Sequence, residues 1–286
     1  MKKFKYFIEF IFISMFFFIC KNLGYKKSSN LGEKIGKLIG PLFRNNKKIL
    51  NNLREAKIAN NDEDRSKIIN EMWGNYGRIL SEYPFIKYFR NSSLNKYIKV
   101  KGKEIIENIK GENKSAIFIS GHFNNFELMA MEIERSGINL AAIYRPLNNI
   151  FLNKTMEKIR TNYICKNQIK KGKSGTRKIV DLIRKNFSIA LMIDQRVSEG
   201  ESIKFFSRYA KTTTIPAQLV KKYKLKVVPV YIFRSMGTNF EIVFEKPIKF
   251  NETDTINEIT LKLNKILENM IVKNPEQWIW SHNRWK

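Results

Sequence analysis

Residues 115–137, SAIFISGHFNNFELMAMEIERSG, contain the pattern on which the fold prediction depends. A short apolar run comes first, a polar loop follows, and the remaining apolar residues lie three and four positions apart. This order is typical of a buried strand, a loop and an amphipathic helix. Because strands that alternate with helices tend to pair in parallel, the stretch predicts an α/β domain.

The same alternation continues toward the C-terminus. Four further β-rich runs follow, namely INLAAIYR, SIALMIDQR, KVVPVYIF and FEIVFEKPI. Helical patterns accompany them in IFLNKTMEKIRTNYI, GTRKIVDLIRKN and IPAQLVKKYK. A last helix should run from Ile256 to about Val272 and end at Asn274-Pro275, since the residue before proline disfavours helix. We therefore predict a mostly parallel sheet flanked by helices, which follows an N-terminal membrane-associated helix and a helical segment.

The chain divides into three predicted segments. Residues 1–22 form an N-terminal membrane anchor, residues 23–97 a helical membrane-proximal region, and residues 98–286 the α/β domain. The middle segment contains ILNNLREAK and RSKIINEMWGNYGRILSEY, in which apolar residues recur at helical spacing. We expect the second and third segments to form one continuous catalytic unit.

The N-terminal segment, MKKFKYFIEFIFISMFFFIC, joins three lysines to an apolar run from Tyr6 to Cys20 that Glu9 interrupts. A full span needs about 20 apolar residues, so a spanning helix and a helix in the interface both remain open. No small-residue cleavage site follows, and we expect the anchor to be retained. Lysines flank both ends, which leaves the orientation ambiguous locally. The basic chain has only two cysteines, which favours the cytoplasmic face.

The next stretch, LGEKIGKLIGPLF at residues 31–43, also has apolar residues at helical spacing. Its apolar positions are Leu31, Ile35, Leu38, Ile39 and Leu42. A helix of this kind either lies on the bilayer surface or packs into the protein core, and the pattern does not choose between the two.

The formal net charge of +27 is high for 286 residues. A field of this sign attracts nucleic acid, anionic lipid headgroups or an acidic protein partner. The basic residues are spread along the chain, without a clustered patch or a recognisable nucleic-acid-binding motif. We therefore keep a membrane-tethered nucleic-acid-binding protein only as a remote alternative and expect no nucleic acid partner.

Polar residues follow three of the predicted strands. Gly121-His122 ends the first, Tyr144-Arg145-Pro146 the second, and Asp194-Gln195-Arg196 the third. In open α/β sheets, ligands bind at the carboxyl ends of the strands. We expect the three clusters to converge on one edge of the sheet and to form the site.

His122 is one of two histidines in the chain, and Glu127 follows five residues later. On one continuous helix such residues point about 140° apart, so they meet only if His122 lies in the loop and Glu127 in the first helical turn. A carboxylate on one imidazole nitrogen would fix the tautomer and leave the other nitrogen to accept a proton. A loop histidine with a purely structural role is the alternative. The other histidine, His282, is far away in sequence, so we expect no metal site.

The chain resembles a known family in five sequence blocks. They occur in the order SGHFNNFE, YRPLNNIFLN, DQR, FFSRYAKTTTIPAQL and PEQWIWSHNRWK. The resemblance is to the lipid A biosynthesis late acyltransferases, the lauroyl and myristoyl group of the lysophospholipid acyltransferase superfamily. It spans nearly the whole chain, and SGHFNNFE carries the histidine, four residues and acidic residue of its acyltransferase motif. The resemblance implies a glycerolipid-acyltransferase-like fold. It also implies that a fatty acyl group is transferred from an acyl carrier protein thioester to a hydroxyl of a lipid A precursor. This acceptor is usually of the Kdo2-lipid IVA type.

The resemblance also implies roles for particular residues. His122 would be the general base and Glu127 would orient and charge-stabilise it. Arg145 and Arg160 would stabilise the oxyanion or bind substrate phosphate. Arg208 could contact phosphate, with a surface arginine as the alternative, and Asp194 would have a positioning role. The reaction needs no cofactor and no metal. The family implies the bacterial inner membrane, where the positive charge would attract acidic acyl carrier protein and anionic lipid.

The chain departs from the family at two places. Asn124, Asn125 and Phe126 stand where the family usually has Gly-Asn-Trp, and Ser207 replaces a common glycine. Asparagine tolerates a left-handed backbone better than most residues, so we expect the turn to survive. An acyltransferase with another glycolipid or lysophospholipid acceptor remains an alternative. An inactive scaffold is disfavoured, because His122 and Glu127 are both present.

Overall fold

The computed structural model describes residues 2–91 and 93–285, which form an α/β architecture. The helices, in chain order, are α1 (Lys2–Leu23), α2 (Tyr25–Phe43), α3 (Asn46–Glu55), α4 (Asp62–Glu82), α5 (Ile86–Arg90), α6 (Lys103–Gly111), α7 (Glu127–Arg135), α8 (Ile150–Ile159), α9 (Lys173–Arg184), α10 (Ile215–Tyr223) and α11 (Ile256–Lys273). The strands are β1 (Ile98–Lys101), β2 (Ala116–Ser120), β3 (Leu140–Tyr144), β4 (Asn167–Lys170), β5 (Ser188–Met192), β6 (Glu201–Phe205), β7 (Arg208–Thr212), β8 (Lys226–Met236) and β9 (Asn239–Phe244).

Seven strands form one sheet in the order β1-β9-β8-β2-β5-β3-β4. The five strands from β8 to β4 pair in parallel, β9 is antiparallel to β8, and β1 pairs in parallel with β9. The prediction of a mostly parallel sheet flanked by helices is confirmed. Strand β2 lies inside the sheet with every residue buried, which explains its uninterrupted apolar run.

The sequence prediction missed β1, β4 and the antiparallel β6–β7 hairpin. Both β1 (IKVK) and β4 (NQIK) are four-residue edge strands that carry lysine. Short, charged edge strands resist pairing with other chains, and the same features hide them from a search for apolar runs. The predicted last helix is confirmed as α11, which ends just before Asn274-Pro275.

Helices α2 and α4 pack against each other through glycine. Gly32, Gly36 and Gly40 are buried on α2, and a Cβ atom on Gly36 would overlap the carbonyl oxygen of Trp73 on α4. Of the apolar residues that defined the predicted face, Leu31 and Ile35 are half-buried, whereas Leu38 is 78% and Leu42 84% exposed. Helix α2 therefore enters the core, but through small residues rather than through its leucines.

The segment after α11 returns across the carboxyl ends of the strands. Trp278, Trp280 and Arg284 are fully buried there. Arg284 donates to the carbonyl oxygen of Lys211 (3.0 Å) and to the hydroxyl of Thr212 (2.8 Å) at the end of β7. This anchoring holds the last residues of the described chain against the β6–β7 hairpin.

Candidate active site

The three strand-end clusters meet around one cavity of about 510 Å³. Strands β2, β5 and β3 are neighbours in the sheet, so the loops after them project from the same edge. His122 follows β2, Gln195 follows β5 and Arg145 follows β3, and all three line the cavity. Asp194 lies buried beside His122. The structure thus brings together the predicted strand ends.

His122 pairs with Asp194 and not with Glu127. Oδ1 of Asp194 accepts from Nδ1 of His122 at 2.8 Å, and Oδ2 accepts from the backbone N–H of His122 at 2.7 Å. Oδ2 also accepts from the indole N–H of Trp278 at 2.9 Å. Because a carboxylate only accepts, the Nδ1 of His122 carries a proton and its Nε2 is the basic nitrogen.

The electrostatics of this pair favour the charged imidazole. Burial alone would lower the pKa of His122, but the charge and hydrogen bond of Asp194 outweigh burial and raise it above its ordinary value. Burial alone would raise the pKa of Asp194, but the charge and hydrogen bonds of His122 and the bond from Trp278 lower it. Asp194 is fully buried, so it stays ionised only because these donors surround it.

Glu127, the first residue of α7, forms its ion pair with Arg160. Its Oε1 accepts from Nε of Arg160 at 2.7 Å and from Nη2 at 2.5 Å, and both side chains are nearly buried. The expectation that Glu127 holds His122 by a hydrogen bond is therefore wrong, because Asp194 occupies that position. Glu127 still contributes to the raised pKa of His122 through its charge.

Arg160 is placed by an irregular helix. It follows α8 and begins a π-helical turn, Arg160–Ile164, of the kind that often occurs at functional sites. Burial alone would lower the pKa of Arg160, but Glu127 raises it, so the guanidinium keeps its charge. The guanidinium lies 5.6 Å from the ring centroid of Tyr144 and lines the cavity beside Glu127.

The turn between β2 and α7 depends on Asn124, which has φ of 42°. The expectation that asparagine supports a left-handed backbone here is confirmed. Its side chain is used as well: Nδ2 donates to Oε1 of Gln277 at 2.8 Å, and Oδ1 accepts from Nη2 of Arg234 at 2.9 Å. The residue that replaces the family's glycine therefore connects the turn to β8 and to the C-terminal segment.

A buried glutamate extends these contacts to the helical region. Glu82, at the end of α4, is fully buried and pairs with Arg234 at 2.8 Å. It also accepts from Asn125 at 3.3 Å and from Ser29 of α2 at 2.6 Å. The helices before residue 98 are thus joined to the turn that carries His122.

The remaining predicted arginines differ in their position. Arg145 is exposed at the mouth of the cavity, next to Lys171, whose pKa is lowered by partial burial and by the charge of Arg145. Arg208 does not line the cavity. It lies on β7, where Nη1 is 3.6 Å from Oε2 of Glu55 and the guanidinium is 5.7 Å from the ring centroid of Trp285.

Away from its polar mouth the cavity is apolar. Its inner wall consists of aliphatic, aromatic and methionine side chains from strands β2, β3 and β5 and helix α7: Phe118, Ile119, Met129, Ala130, Ile133, Ala142, Ile143, Ala190 and Met192. Within residues 2–91 and 93–285, no group of three or more His, Cys, Asp or Glu side chains is arranged to hold a metal ion.

The sequence prediction missed the C-terminal contribution to the site. Besides Trp278, His282 lines the cavity, and its Nε2 accepts from the backbone N–H of Arg196 at 3.1 Å. Burial lowers the pKa of His282 to about 4, so the ring is neutral and its proton is on Nδ1. An unusual density of Trp, His and Arg in the last residues was the available signal, but it did not identify the strand end that these residues contact.

The chain is similar to one family of known proteins. The family model for bacterial lipid A biosynthesis acyltransferase matches residues 1–286. A lipid A biosynthesis palmitoleoyltransferase of Escherichia coli (strain K12) is 25% identical over 261 residues, which cover 90% of this chain and 84% of that protein. A lauroyltransferase of lipid A biosynthesis from the same organism is 22% identical, with 92% and 87% covered. A myristoyltransferase of lipid A biosynthesis is 20% identical, with 86% and 77% covered.

Proposed function

The chain belongs to the family of bacterial lipid A biosynthesis acyltransferases, and from this premise we propose that it transfers a fatty acyl group from an acyl carrier protein thioester to a hydroxyl of a Kdo2-lipid IVA type precursor. The observation that carries the proposal is the His122–Asp194 pair at the polar end of an apolar cavity. A general base stands where a hydroxyl and a thioester would meet, and the apolar wall suits a fatty acyl chain.

In the proposed reaction, Nε2 of His122 removes the proton from the acceptor hydroxyl. The hydroxyl oxygen attacks the thioester carbonyl and a tetrahedral oxyanion forms. When it collapses, the carbon–sulfur bond breaks and the carrier thiolate takes the proton from the imidazolium. Asp194 supports both proton transfers because it keeps the proton on Nδ1 and stabilises the imidazolium.

Arg160 is the proposed partner of the oxyanion. It is a charged, nearly buried donor on the cavity wall, where low dielectric strengthens its interaction with developing negative charge. Glu127 holds two of its N–H groups and so sets its orientation. We therefore assign Glu127 to the positioning of Arg160 and Asp194 to the positioning of His122.

The mouth of the cavity suits anionic substrates. Arg145 and Lys171 lie next to each other there, and arginine binds phosphate through two N–H groups at once. Lipid A precursors carry phosphates, and acyl carrier protein is acidic, so the high net charge favours both. The same charge favours the anionic cytoplasmic leaflet of the bacterial inner membrane, where we place the domain.

The test is acyl transfer by membranes that contain the protein. Acyl carrier protein thioesters of several chain lengths serve as donors, Kdo2-lipid IVA and a lysophospholipid as acceptors, and mass spectrometry identifies the products. We expect transfer to Kdo2-lipid IVA by wild type, with loss in His122→Ala and Glu127→Ala. The matched control is Glu252→Gln, which removes a surface carboxylate that pairs with Lys224.

Two outcomes would overturn the proposal. Transfer that persists without His122 would remove the proposed base. Transfer by wild type only to the lysophospholipid would move the chain to the alternative acceptor class and leave the catalytic assignment in place. The preferred donor in a positive assay would also identify the acyl length for which the cavity is built.

A further inference from the structure

Helix α1 is attached to the folded domain along one face and at both ends. The partly or fully buried residues recur three and four positions apart along the helix: Tyr6, Glu9, Phe10, Ile13, Phe16, Phe17 and Cys20. This spacing is that of a single helix face. From Tyr6 to Cys20 the attached face is about 21 Å long at 1.5 Å per residue.

The contacts near the start of α1 are with α8. The side-chain amide of Asn149, the residue that caps α8, donates to the carbonyl oxygen of Tyr6 at 2.8 Å and to Oε2 of Glu9 at 3.0 Å. The ring of Phe7 lies edge-on to that of Phe151, with centroids 5.5 Å apart. Glu9, the acidic residue inside the apolar run, therefore has a defined partner in the domain.

The contacts near the end of α1 are with the other helical elements. The rings of Phe17 and Tyr83 stack with centroids 6.4 Å apart, and Tyr83 belongs to the turn after α4. The hydroxyl of Ser28 on α2 donates to the carbonyl oxygen of Cys20 at 2.6 Å. Both ends of the helix are thus held against the same folded unit.

The opposite face of α1 is apolar and has no cover in the described chain. Its exposed residues include Phe4, Ile8, Ile11, Phe12, Met15 and Phe18. Phe4, Phe12 and Phe18 are each at least two-thirds exposed, at 69%, 67% and 69%. Lysines lie near both ends of α1: Lys2, Lys3 and Lys5 at its start, Lys21 in its last turn, and Lys26 and Lys27 at the start of α2.

We propose that α1 lies in the plane of the bilayer interface as a rigid part of the domain and does not span the membrane, although it is long and apolar enough to do so. The ends of a spanning helix are separated by the hydrocarbon core, which is about 30 Å thick. A spanning α1 would therefore have to leave the domain at one end. An in-plane helix keeps both sets of contacts, buries its apolar face among acyl chains, and sets both lysine groups at the headgroups of one leaflet.

The in-plane position has a consequence for the active site. The cavity mouth includes Arg145 and Leu147, and a few residues later Asn149 and Phe151 contact α1. The mouth therefore opens beside the membrane-bound helix. A lipid acceptor would enter the cavity laterally from the bilayer and would not have to leave the bilayer. This consequence rests on the proposed function, whereas the position of the helix does not.

The experiment measures the depth of three residues that lie on one face at seven-residue spacing. Phe4→Cys, Ile11→Cys and Phe18→Cys carry a nitroxide, and the full chain is placed in vesicles of phosphatidylethanolamine and phosphatidylglycerol. Accessibility to oxygen and to a water-soluble nickel chelate gives the depth of each label. The in-plane helix predicts equal depths at all three positions. Wild type is the labelling control, because its Cys20 and Cys165 are buried.

Three results would overturn the proposal. A deep label at Ile11→Cys between shallow labels at Phe4→Cys and Phe18→Cys would show a spanning helix. Low oxygen accessibility with strong spin–spin broadening would show that a second copy of the chain covers the face. A topology check uses Lys3→Cys and Lys185→Cys with an impermeant maleimide: the in-plane helix predicts labelling from the same side of the membrane, and labelling from opposite sides contradicts it. Neither readout depends on acyl transfer.

Discussion

The turn that carries His122 and the α2–α4 interface are both tightly packed, but for opposite reasons. The turn is held by side chains that reach it from other elements, including Asp194, Arg234 and Gln277. The interface is held by the absence of side chains, since a Cβ atom on Gly36 would overlap α4. A change in the turn should therefore affect catalysis more than folding, and a change in the interface should do the reverse.

The largest effect is expected from Asp194→Asn. The amide of the variant is not an anionic acceptor for the Nδ1–H of His122. The variant therefore no longer fixes the tautomer with the proton on Nδ1, and it no longer stabilises the imidazolium. We expect kcat to fall about a thousandfold or more, while the protein still folds. The measurement is steady-state acyl transfer beside circular dichroism. A fall in kcat of less than tenfold would contradict the role given to Asp194.

The pH profile separates an electrostatic role of Asp194 from a structural one. Asp194 raises the pKa of His122, and a general base works only when it is unprotonated, so wild-type kcat/KM should fall as the pH drops through the raised pKa. Removal of the carboxylate lowers that pKa. The acid limb of residual activity in Asp194→Asn should therefore move to lower pH, and an unmoved limb would point to structural damage.

Glu82 belongs to both regions, so Glu82→Gln tests whether they are connected. The change leaves the guanidinium of Arg234 buried without its counter-ion and weakens the bonds to Asn125 and Ser29. We expect the free energy of unfolding to fall by about 3 kcal/mol, and kcat to fall with it because Arg234 also supports Asn124. Denaturant unfolding and kcat on the same preparation are the measurements. A stability loss with unchanged kcat would show that the regions are independent.

Gly36→Ala tests the interface alone. The added methyl must displace α4 or the carbonyl oxygen of Trp73, and we expect a loss of about 2 kcal/mol in unfolding free energy. The matched control is Gly111→Ala at the end of α6, where a Cβ atom meets nothing within 4 Å. That variant should be neutral or slightly stabilising, since alanine has the higher helix propensity. Equal thermal stability of the two variants would refute close packing at Gly36.

Local signals in the sequence were sufficient for the fold class and the central strands of the sheet, but not for its short edge strands, the β6–β7 hairpin or the contacts of the site. The strand β2 and the helix α7 were predictable because their patterns lie within a few neighbouring residues. The partners of Asp194 are remote: His122 is 72 positions away and Trp278 is 84. Two acidic residues, Asp194 and Glu127, followed strand ends, and spacing alone could not tell which of them bonds the imidazole.

The interface was hidden for a related reason. A sequence pattern is read from its apolar residues, and on α2 two of these, Leu38 and Leu42, are exposed. The residues that pack, including Gly32 and Gly36, have no side chain to register as apolar. A glycine every fourth position was visible in the sequence, but without α4 beside it the repeat did not indicate which helix it contacts.

The smallest effect, and the sharpest comparison of the two regions, is expected at Asn124. Asn124→Gly keeps the left-handed backbone at φ 42° but removes the bonds to Gln277 and Arg234. Each such bond contributes about 1 kcal/mol, and Arg234 keeps Glu82, so we expect kcat to fall about tenfold or less. Asn124→Ala loses the same bonds and also strains the backbone, which should cost about 1 kcal/mol more in unfolding free energy. If the two variants unfold at the same denaturant concentration, the left-handed conformation is not what asparagine supplies. If Asn124→Gly retains full activity, the side-chain bonds do not position His122. Under either of these two outcomes, the turn would tolerate a small residue at position 124, as the α2–α4 interface does at its glycines.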